Sequence, residues 1–274
     1  MGIRILYIGE IVGKAGVFCV KKLLPGLKKK LAPDLVIACA NAVTSGSGIG
    51  RAHSVYLRKL GIDILTTGEA AFYKKDIVEA FPKSPWLLRP YNYPPGVPGR
   101  GVHVYRTEKG PIAVIQLLGQ AGFSRVHLDS PFRLLDSLLL DLADIENIIL
   151  DFRAPTTAER QAMFHYADGR ISALLGSYSR AISADAGLSM KNMAYMTDTG
   201  RTGSLVSVGG LDAVSRIAEY RSGIPAWPKP AVLGLELQGC IVDIGRNGQA
   251  ESIEMLRIPC KEVLNEGTGH SNQN

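Results

Sequence analysis

The sequence is poor in the residues that anchor most metal and disulfide chemistry. Four cysteines (Cys19, Cys39, Cys240 and Cys260) and five histidines are scattered over 274 residues. No Cys-x-x-Cys pair exists, and four thiols in a chain of this length do not make a disulfide framework. Three of the four sit inside apolar runs, so all are read as buried, reduced thiols. His53, His103, His127, His165 and His270 never fall at the spacing of zinc ligands. No apolar run approaches the ~20 residues that a membrane helix needs. The N-terminal apolar run is too short for a signal peptide and has no small-residue cleavage site. Gly2 lacks the Ser/Thr that myristoylation requires at the sixth position. The expectation is a cytoplasmic protein with no membrane partner.

What is present is ordinary for a globular chain. Hydrophobic residues make up 46% and charged residues 20%, which excludes disorder over most of the length. The net charge of +6 permits an anionic partner without requiring one. The basic residues Lys21, Lys22, Lys28, Lys29 and Lys30 share the first predicted helix, either side of Pro25-Gly26, which are expected to break or kink it. A solvated helix face explains them. Contact with RNA is the sharper alternative, but no interleaved aromatic platform accompanies the lysines.

Apolar runs rich in Ile, Leu and Val predict strands at 3–8, 35–40, 62–66, 112–117, 148–152 and 171–175. Continuous runs of this kind suit strands buried on both faces. Helices are predicted near 15–31, 51–60, 71–80, 131–143, 156–166 and 209–221, and the alternation argues for an α/β protein. Residues 233–244 and 251–258 flank Asn247-Gly248, a hairpin turn signal, so an antiparallel pair closes the fold. The Pro/Gly-rich stretch 89–101 is either a functional loop or a rigid crossover. One domain is expected over 1–260, followed by a polar, frayed segment at 261–274.

In open α/β sheets, ligands bind beyond the carboxyl ends of the strands. Those ends read Gly9-Glu10-Ile11-Val12-Gly13, Ala40-Asn41-Ala42, Gly68-Glu69-Ala70, Asp151-Phe152-Arg153 and Gly176-Ser177-Tyr178-Ser179-Arg180. Gly9 to Ala15 is one residue short of a P-loop and carries Ala15 where Ser/Thr must hold magnesium. Gly46-Ser47-Gly48-Ile49-Gly50 does not have dinucleotide-fingerprint spacing. No Gly-x-Ser-x-Gly elbow exists for a hydrolase triad.

Longer motifs point to one family. Arg4-Ile5-Leu6-Tyr7-Ile8-Gly9-Glu10-Ile11-Val12-Gly13 is similar to the opening of the YmdB-type branch of the calcineurin-like metallophosphoesterases. Leu88-Arg89-Pro90-Tyr91-Asn92-Tyr93-Pro94-Pro95-Gly96 through Gly101, Asp168-Gly169-Arg170-Ile171-Ser172-Ala173, Ala184-Asp185 and Thr197-Asp198-Thr199-Gly200-Arg201-Thr202-Gly203 resemble further motifs of that branch. The resemblance covers roughly residues 2–258. It implies a four-layer α-β-β-α sandwich of two mixed sheets, the metallophosphoesterase fold. It also implies a homo-oligomer, two bound divalent cations (Mn, Fe, Mg or Zn), hydrolysis of cyclic nucleotides and other diesters, and a protein partner linked to RNA turnover.

At the metal positions, the same resemblance implies a departure. The family's first Asp is Glu10, its Gly-Glu-Asn is Cys39-Ala40-Asn41, and its Gly-Asn-His is Gly68-Glu69-Ala70. Its remaining histidine ligands are Arg153, Tyr178 and Arg180. Arginine stays protonated and offers only donors, and alanine has no ligand atom. Ala70 also removes the family's general acid, which is worth ~10²–10⁴-fold. These substitutions lead to the expectation of a catalytically inactive, regulatory or anion-binding protein with no cofactor. Asp168, Arg170, Asp185 and Asp198 are expected to hold loops and backbone rather than metal. Glu10 and Glu69 could pair with Arg153 and Arg180 in a self-satisfied network. Alternatively, Arg153 and Arg180 could bind a small phosphorylated ligand, or Glu10, Asn41 and Glu69 could hold one weak divalent ion. The opposing expectation is an active, metal-dependent phosphodiesterase on cyclic nucleotides with an altered site.

Overall fold

The computed structural model describes residues 2–123 and 128–261. In chain order the strands are β1 (Ile3–Ile8), β2 (Glu10–Ile11), β3 (Leu35–Cys39), β4 (Ile64–Thr66), β5 (Leu87–Leu88), β6 (Val102–Thr107) and β7 (Gly110–Leu118). They continue as β8 (Asn147–Arg153), β9 (Ala173–Ser177), β10 (Gly187–Leu188), β11 (Ala194–Met196), β12 (Arg201–Ser204), β13 (Leu235–Ile244) and β14 (Ala250–Pro259). The helices are α1 (Gly13–Leu31), α2 (Arg51–Lys59), α3 (Lys75–Ala80), α4 (Pro131–Asp141), α5 (Thr157–Ala167) and α6 (Ala213–Ser222).

The strands form two mixed sheets. The first runs β2-β12-β13-β1-β3-β4-β5, with β14 on β13, and the second runs β10-β11-β9-β8-β7-β6. The alternation of side chains along each strand builds the layers. Ile3, Ile5 and Tyr7 of β1 join Ile112, Val114 and Ile149 between the sheets. Leu6 and Ile8 point the other way, into a core with Val20 and Leu24 of α1 and Ile77 of α3. Leu135 of α4 and Met163 of α5 cover the outer face of the second sheet, against Ala113, Ile115 and Leu150. This is the expected four-layer α-β-β-α sandwich. Because both faces of each central strand are covered, its sequence reads as an unbroken apolar run.

The expected closing hairpin is present: β13 and β14 pair antiparallel from Glu236↔Pro259 to Ile244↔Ala250. All four cysteines are free and buried, as expected. The Pro/Gly stretch crosses from the first sheet to the second. Arg89 pins it, donating to the carbonyls of Pro90 and Tyr91 at one end and of Val97 and Pro98 at the other. The segment 261–274 lies outside the described residues except for Lys261.

Several boundaries differ from expectation. α1 runs unbroken through Pro25. Pro25 and Gly26 face solvent while Leu24 and Leu27 are buried, so packing on either side carries the helix across the missing N–H. Three consecutive lysines in the last turn also suit its negative end. α3 begins at Lys75 because residues 68–73 turn tightly, with the Ala71 and Tyr73 N–H groups donating to the carbonyls of Gly68 and Ala70. α6 begins at Ala213 because Gly209 and Gly210 hold left-handed φ values of 60° and 87°. The strand expected at 171–175 spans Ala173–Ser177. Sequence reading missed β2, β5, β6, β10, β11 and β12, which are short or incompletely buried.

Candidate functional site

The parallel strands β1, β3 and β4 of the first sheet and β8 and β9 of the second end on the same side of the molecule. Their carboxyl ends bring Glu10, Glu69, Arg153 and Arg180 into direct contact. Arg153 is the centre. Its Nη1 donates to Glu10 Oε2 at 2.8 Å. Its Nε and Nη2 donate to Glu69 Oε2 and Oε1 at 2.5 and 2.9 Å, a fork on a carboxylate. Arg180 Nη2 donates to the other Glu10 oxygen, Oε1, at 2.9 Å, and its Nη1 donates to the Gly209 carbonyl at 3.1 Å. Two guanidiniums and two carboxylates thus form one continuous run of ion pairs, Glu69–Arg153–Glu10–Arg180.

Glu10 is fully buried, and burial alone would push its carboxyl up. Arg153 and Arg180 outweigh that and bring it down to about 2. Arg153 is also buried, yet Glu10 and Glu69 hold its guanidinium protonated more firmly than usual. The network opens to solvent on one side only, through Glu69 (22% exposed) and Arg180 (17%). Tyr178 covers part of that opening. The Arg153 guanidinium carbon lies 5.1 Å from its ring centre, and Phe123 meets the ring edge-on at 5.7 Å. Tyr178 and Arg180 take φ values of 138° and 56°, unusual for side-chain-bearing residues.

The loop that presents them is clamped from behind. Asp198 accepts from the Ser179 and Gly200 N–H groups at 2.7 and 2.9 Å, and from Arg160 Nη1 at 2.6 Å. Asp185 holds Thr197 and Ser183, Asp168 accepts from the Ser189 hydroxyl, and Arg170 pairs with Asp136. Asp185 and Asp198 thus hold loop backbone, Asp168 holds a loop hydroxyl, and Arg170 holds a side chain of α4.

Asn41 lies at the end of β3, where its Oδ1 accepts from the Ala70 N–H at 3.1 Å. Ala40 and Ala70 present only methyl groups. A Cβ on Gly68 would come within 2.6 Å of Arg153 Cδ and 2.8 Å of Asn41 Oδ1, so only glycine lets β4 pass this close to the guanidinium. Sequence reading listed Gly68 at a strand end but missed its close approach to Arg153, and it missed the Gly209 carbonyl. It also missed the Asp151 contact beneath the site: Tyr7 Oη donates to Asp151 Oδ2 at 2.6 Å, and burial pushes the Asp151 carboxyl up to about 6.

Two divalent cations do not fit these residues as arranged. Both Glu carboxylates are bridged by guanidinium, which repels a metal ion, and Arg153, Arg180, Ala40 and Ala70 have no lone pair to give. Among the described residues no group of three or more His, Cys, Asp or Glu side chains is arranged around a cation.

Most of the chain is nevertheless matched by known proteins. A family model described as YmdB-like protein matches residues 6–256. The chain belongs to the YmdB-like family. It is 34% identical over 259 residues to a Bacillus subtilis protein named 2',3'-cyclic-nucleotide 2'-phosphodiesterase, covering 93% of this chain and 97% of that one. A solved structure of a novel phosphatase from Mycoplasma pneumoniae superposes with a TM-score of 0.90 at 28% identity, covering 94% of both chains. A hypothetical protein from Thermus thermophilus superposes at 0.87 and 29% identity, covering 94% of this chain and 99% of that one.

The expectation of an inactive regulatory or anion-binding protein is corrected by these relatives, which are named phosphodiesterase and phosphatase. The expectation equated lost metal ligands with lost chemistry. Guanidinium offers fixed positive charge and hydrogen-bond donors to a phosphate, but unlike a metal ion it does not activate a bound water. The expectation of no cofactor likewise gains no support from the YmdB-like relatives. No helix among the described residues is long and apolar enough to cross a membrane.

Proposed function

We propose that this chain hydrolyses a phosphoric diester of a nucleotide, with 2',3'-cyclic nucleotides as the leading substrate class. The observation that carries this reading is the near-complete match to the Bacillus subtilis phosphodiesterase. The geometry is compatible with it. Arg180, at the open edge of the network, can turn a donor toward a phosphate oxygen while Glu10 keeps its bond to Arg153. Arg153, held rigidly below, adds fixed positive potential. Glu69 is the acid of the network with the greater exposure, and in this reading it accepts the proton of an attacking water once one of its oxygens releases Arg153. Water oxygen then bonds to phosphorus, one ester P–O bond breaks, and the leaving oxygen takes its proton from solvent. Ala70 has none to give.

A cytoplasmic location fits the four free thiols. A protein partner linked to RNA turnover is part of the same proposal and rests on family resemblance. The test is phosphorus NMR of 2',3'-cyclic AMP incubated with purified protein, once with excess chelator and once with added Mn²⁺. Appearance of a phosphomonoester, lost in Arg180→Ala, supports the reading. No turnover in either condition, at enzyme concentrations near that of the substrate, overturns it.

A further inference from the structure

Two stretches to which the diesterase reading gives no role, the glycine-rich loop at 46–50 and the Pro/Gly crossover at 89–101, meet beside Glu69. Glu69 lies in the tight turn 68–73, where the Tyr73 N–H donates to the Ala70 carbonyl at 3.1 Å. That turn carries Tyr73 outward, and the residue is 57% exposed. Gly48 packs against the base of its side chain. Gly48 holds a φ of 70°, and a Cβ there would lie 2.8 Å from the Ala70 carbonyl oxygen and 3.3 Å from Tyr73 Cβ. The crossover brings Tyr93 to the same place, where its ring meets Phe72 edge-on at 5.4 Å. Burial first, then the nearby Glu69 carboxylate and Tyr73 hydroxyl, push the Tyr93 hydroxyl up to about 12. It is therefore a donor at neutral pH, and it makes no hydrogen bond among the described residues.

The other aromatic groups around the acid are already engaged. Tyr178 packs on Arg153 and Phe123, and Phe72 packs on Phe81 and Tyr93. Tyr73 has no ring-stacking or hydrogen-bond partner among the described residues. We propose that Tyr73 and Tyr93 form a nucleobase subsite beside the phosphate position. The base of a nucleotide stacks on the exposed Tyr73 ring, and the Tyr93 hydroxyl donates to an acceptor on the base edge. An open aromatic ring suits this ligand because every base presents a π-face. Guanidiniums for an anion and an open ring for a flat heterocycle occur together here, and a nucleotide carries both groups. The inference rests on the diesterase reading for the position of the phosphate and adds to it what selects the substrate. The base makes a nucleoside cyclic phosphate a better substrate than a diester without one.

The test compares kcat/KM for 2',3'-cyclic AMP with that for glycerol 1,2-cyclic phosphate, which has no base. Tyr73→Ala is expected to lower the ratio of the two by about tenfold, the low end of what one stacked base contributes. Any loss of folded protein cancels in that ratio. Tyr73→Phe keeps the ring and should keep the ratio. Tyr93→Phe should lower it about threefold, the effect of one neutral hydrogen bond. A ratio that Tyr73→Ala leaves unchanged overturns the proposal. A second measurement does not depend on turnover: saturation-transfer NMR of adenosine 3'-monophosphate with the full chain. The adenine protons should receive saturation from wild type and lose it in Tyr73→Ala. Saturated adenine protons without hydrolysis of either diester would sink the diesterase reading and leave the subsite standing. Hydrolysis of both diesters at equal efficiency, with no saturation of adenine, would sink the subsite alone.

Discussion

Arg153 and Glu69 lie 84 residues apart in sequence and meet through two hydrogen bonds of 2.5 and 2.9 Å. One sits at the end of a strand in the second sheet and the other follows a strand in the first. The contact therefore ties the two halves of the sandwich together at the mouth of the cleft, as well as setting the charge there.

Arg153→Ala leaves Glu10 buried with only Arg180 beside it. Removing one partner of a buried ion pair costs about 3–5 kcal/mol, and that loss is the expected result in urea unfolding. Arg153→Lys should recover only part of it, because an ammonium cannot fork across two carboxylates. A change below about 1 kcal/mol for the alanine variant would mean that the network does not hold the fold.

Arg180→Ala separates binding from folding. Glu10 keeps its bond to Arg153 in this variant, so stability should fall by only about 1 kcal/mol. The kcat/KM for a cyclic nucleotide should drop roughly 10–100-fold, the value of one charge-assisted hydrogen bond. Equal rates for wild type and variant would place the phosphate elsewhere.

Gly68→Ala puts a methyl group 2.6 Å from Arg153 Cδ and against Asn41 Oδ1. Overpacking of this kind costs about 1–3 kcal/mol. The variant should melt lower and lose activity together, since the displaced atoms belong to the Arg153 side chain itself. A normal melting temperature would show that Arg153 can move aside freely.

Two buried carboxyls give opposite pH dependence. Glu10, lowered to about 2 in the fold, adds stability that is present above the ordinary Glu range and is lost as pH falls toward 2. Asp151, raised to about 6, holds its proton more tightly when folded; its contribution is present below the ordinary Asp range and is lost as pH rises through 6. Asp151→Asn keeps the acceptor for Tyr7 and removes the titration. It should leave stability near pH 4 unchanged and raise it by about 1–3 kcal/mol at pH 8, as read from melting curves at the two values. Equal gains at both would assign the effect to packing.

The layers of the fold were legible because Ile3 to Ile8, and the runs like it, are buried on both faces and must be apolar throughout. The cluster of Glu10, Glu69, Arg153 and Arg180 was legible because each follows a predicted strand. What escaped was set by contacts distant in sequence. Nothing local marks Asp151 as lying under Tyr7, 144 residues away. Gly209 enters the site through its carbonyl, which every residue has. The continuous α1 shows a different limit: Pro25 is a breaker only where packing does not override it. The inactive reading was overturned by relatives named phosphodiesterase and phosphatase, which the substitutions at Arg153, Tyr178 and Arg180 taken alone did not foreshadow.

The position of β13 has a consequence for how the protein is made. β13 runs antiparallel to β1 from Ile3↔Ile244 to Ile8↔Gly239, with β14 along its other edge. Ribosomal synthesis delivers β1 long before its hydrogen-bonding neighbour β13, so one edge of that strand stays bare while the polypeptide between them emerges. A nascent chain stalled anywhere before Leu235 would display an unpaired, largely apolar strand, the kind of edge that recruits chaperones or neighbouring chains.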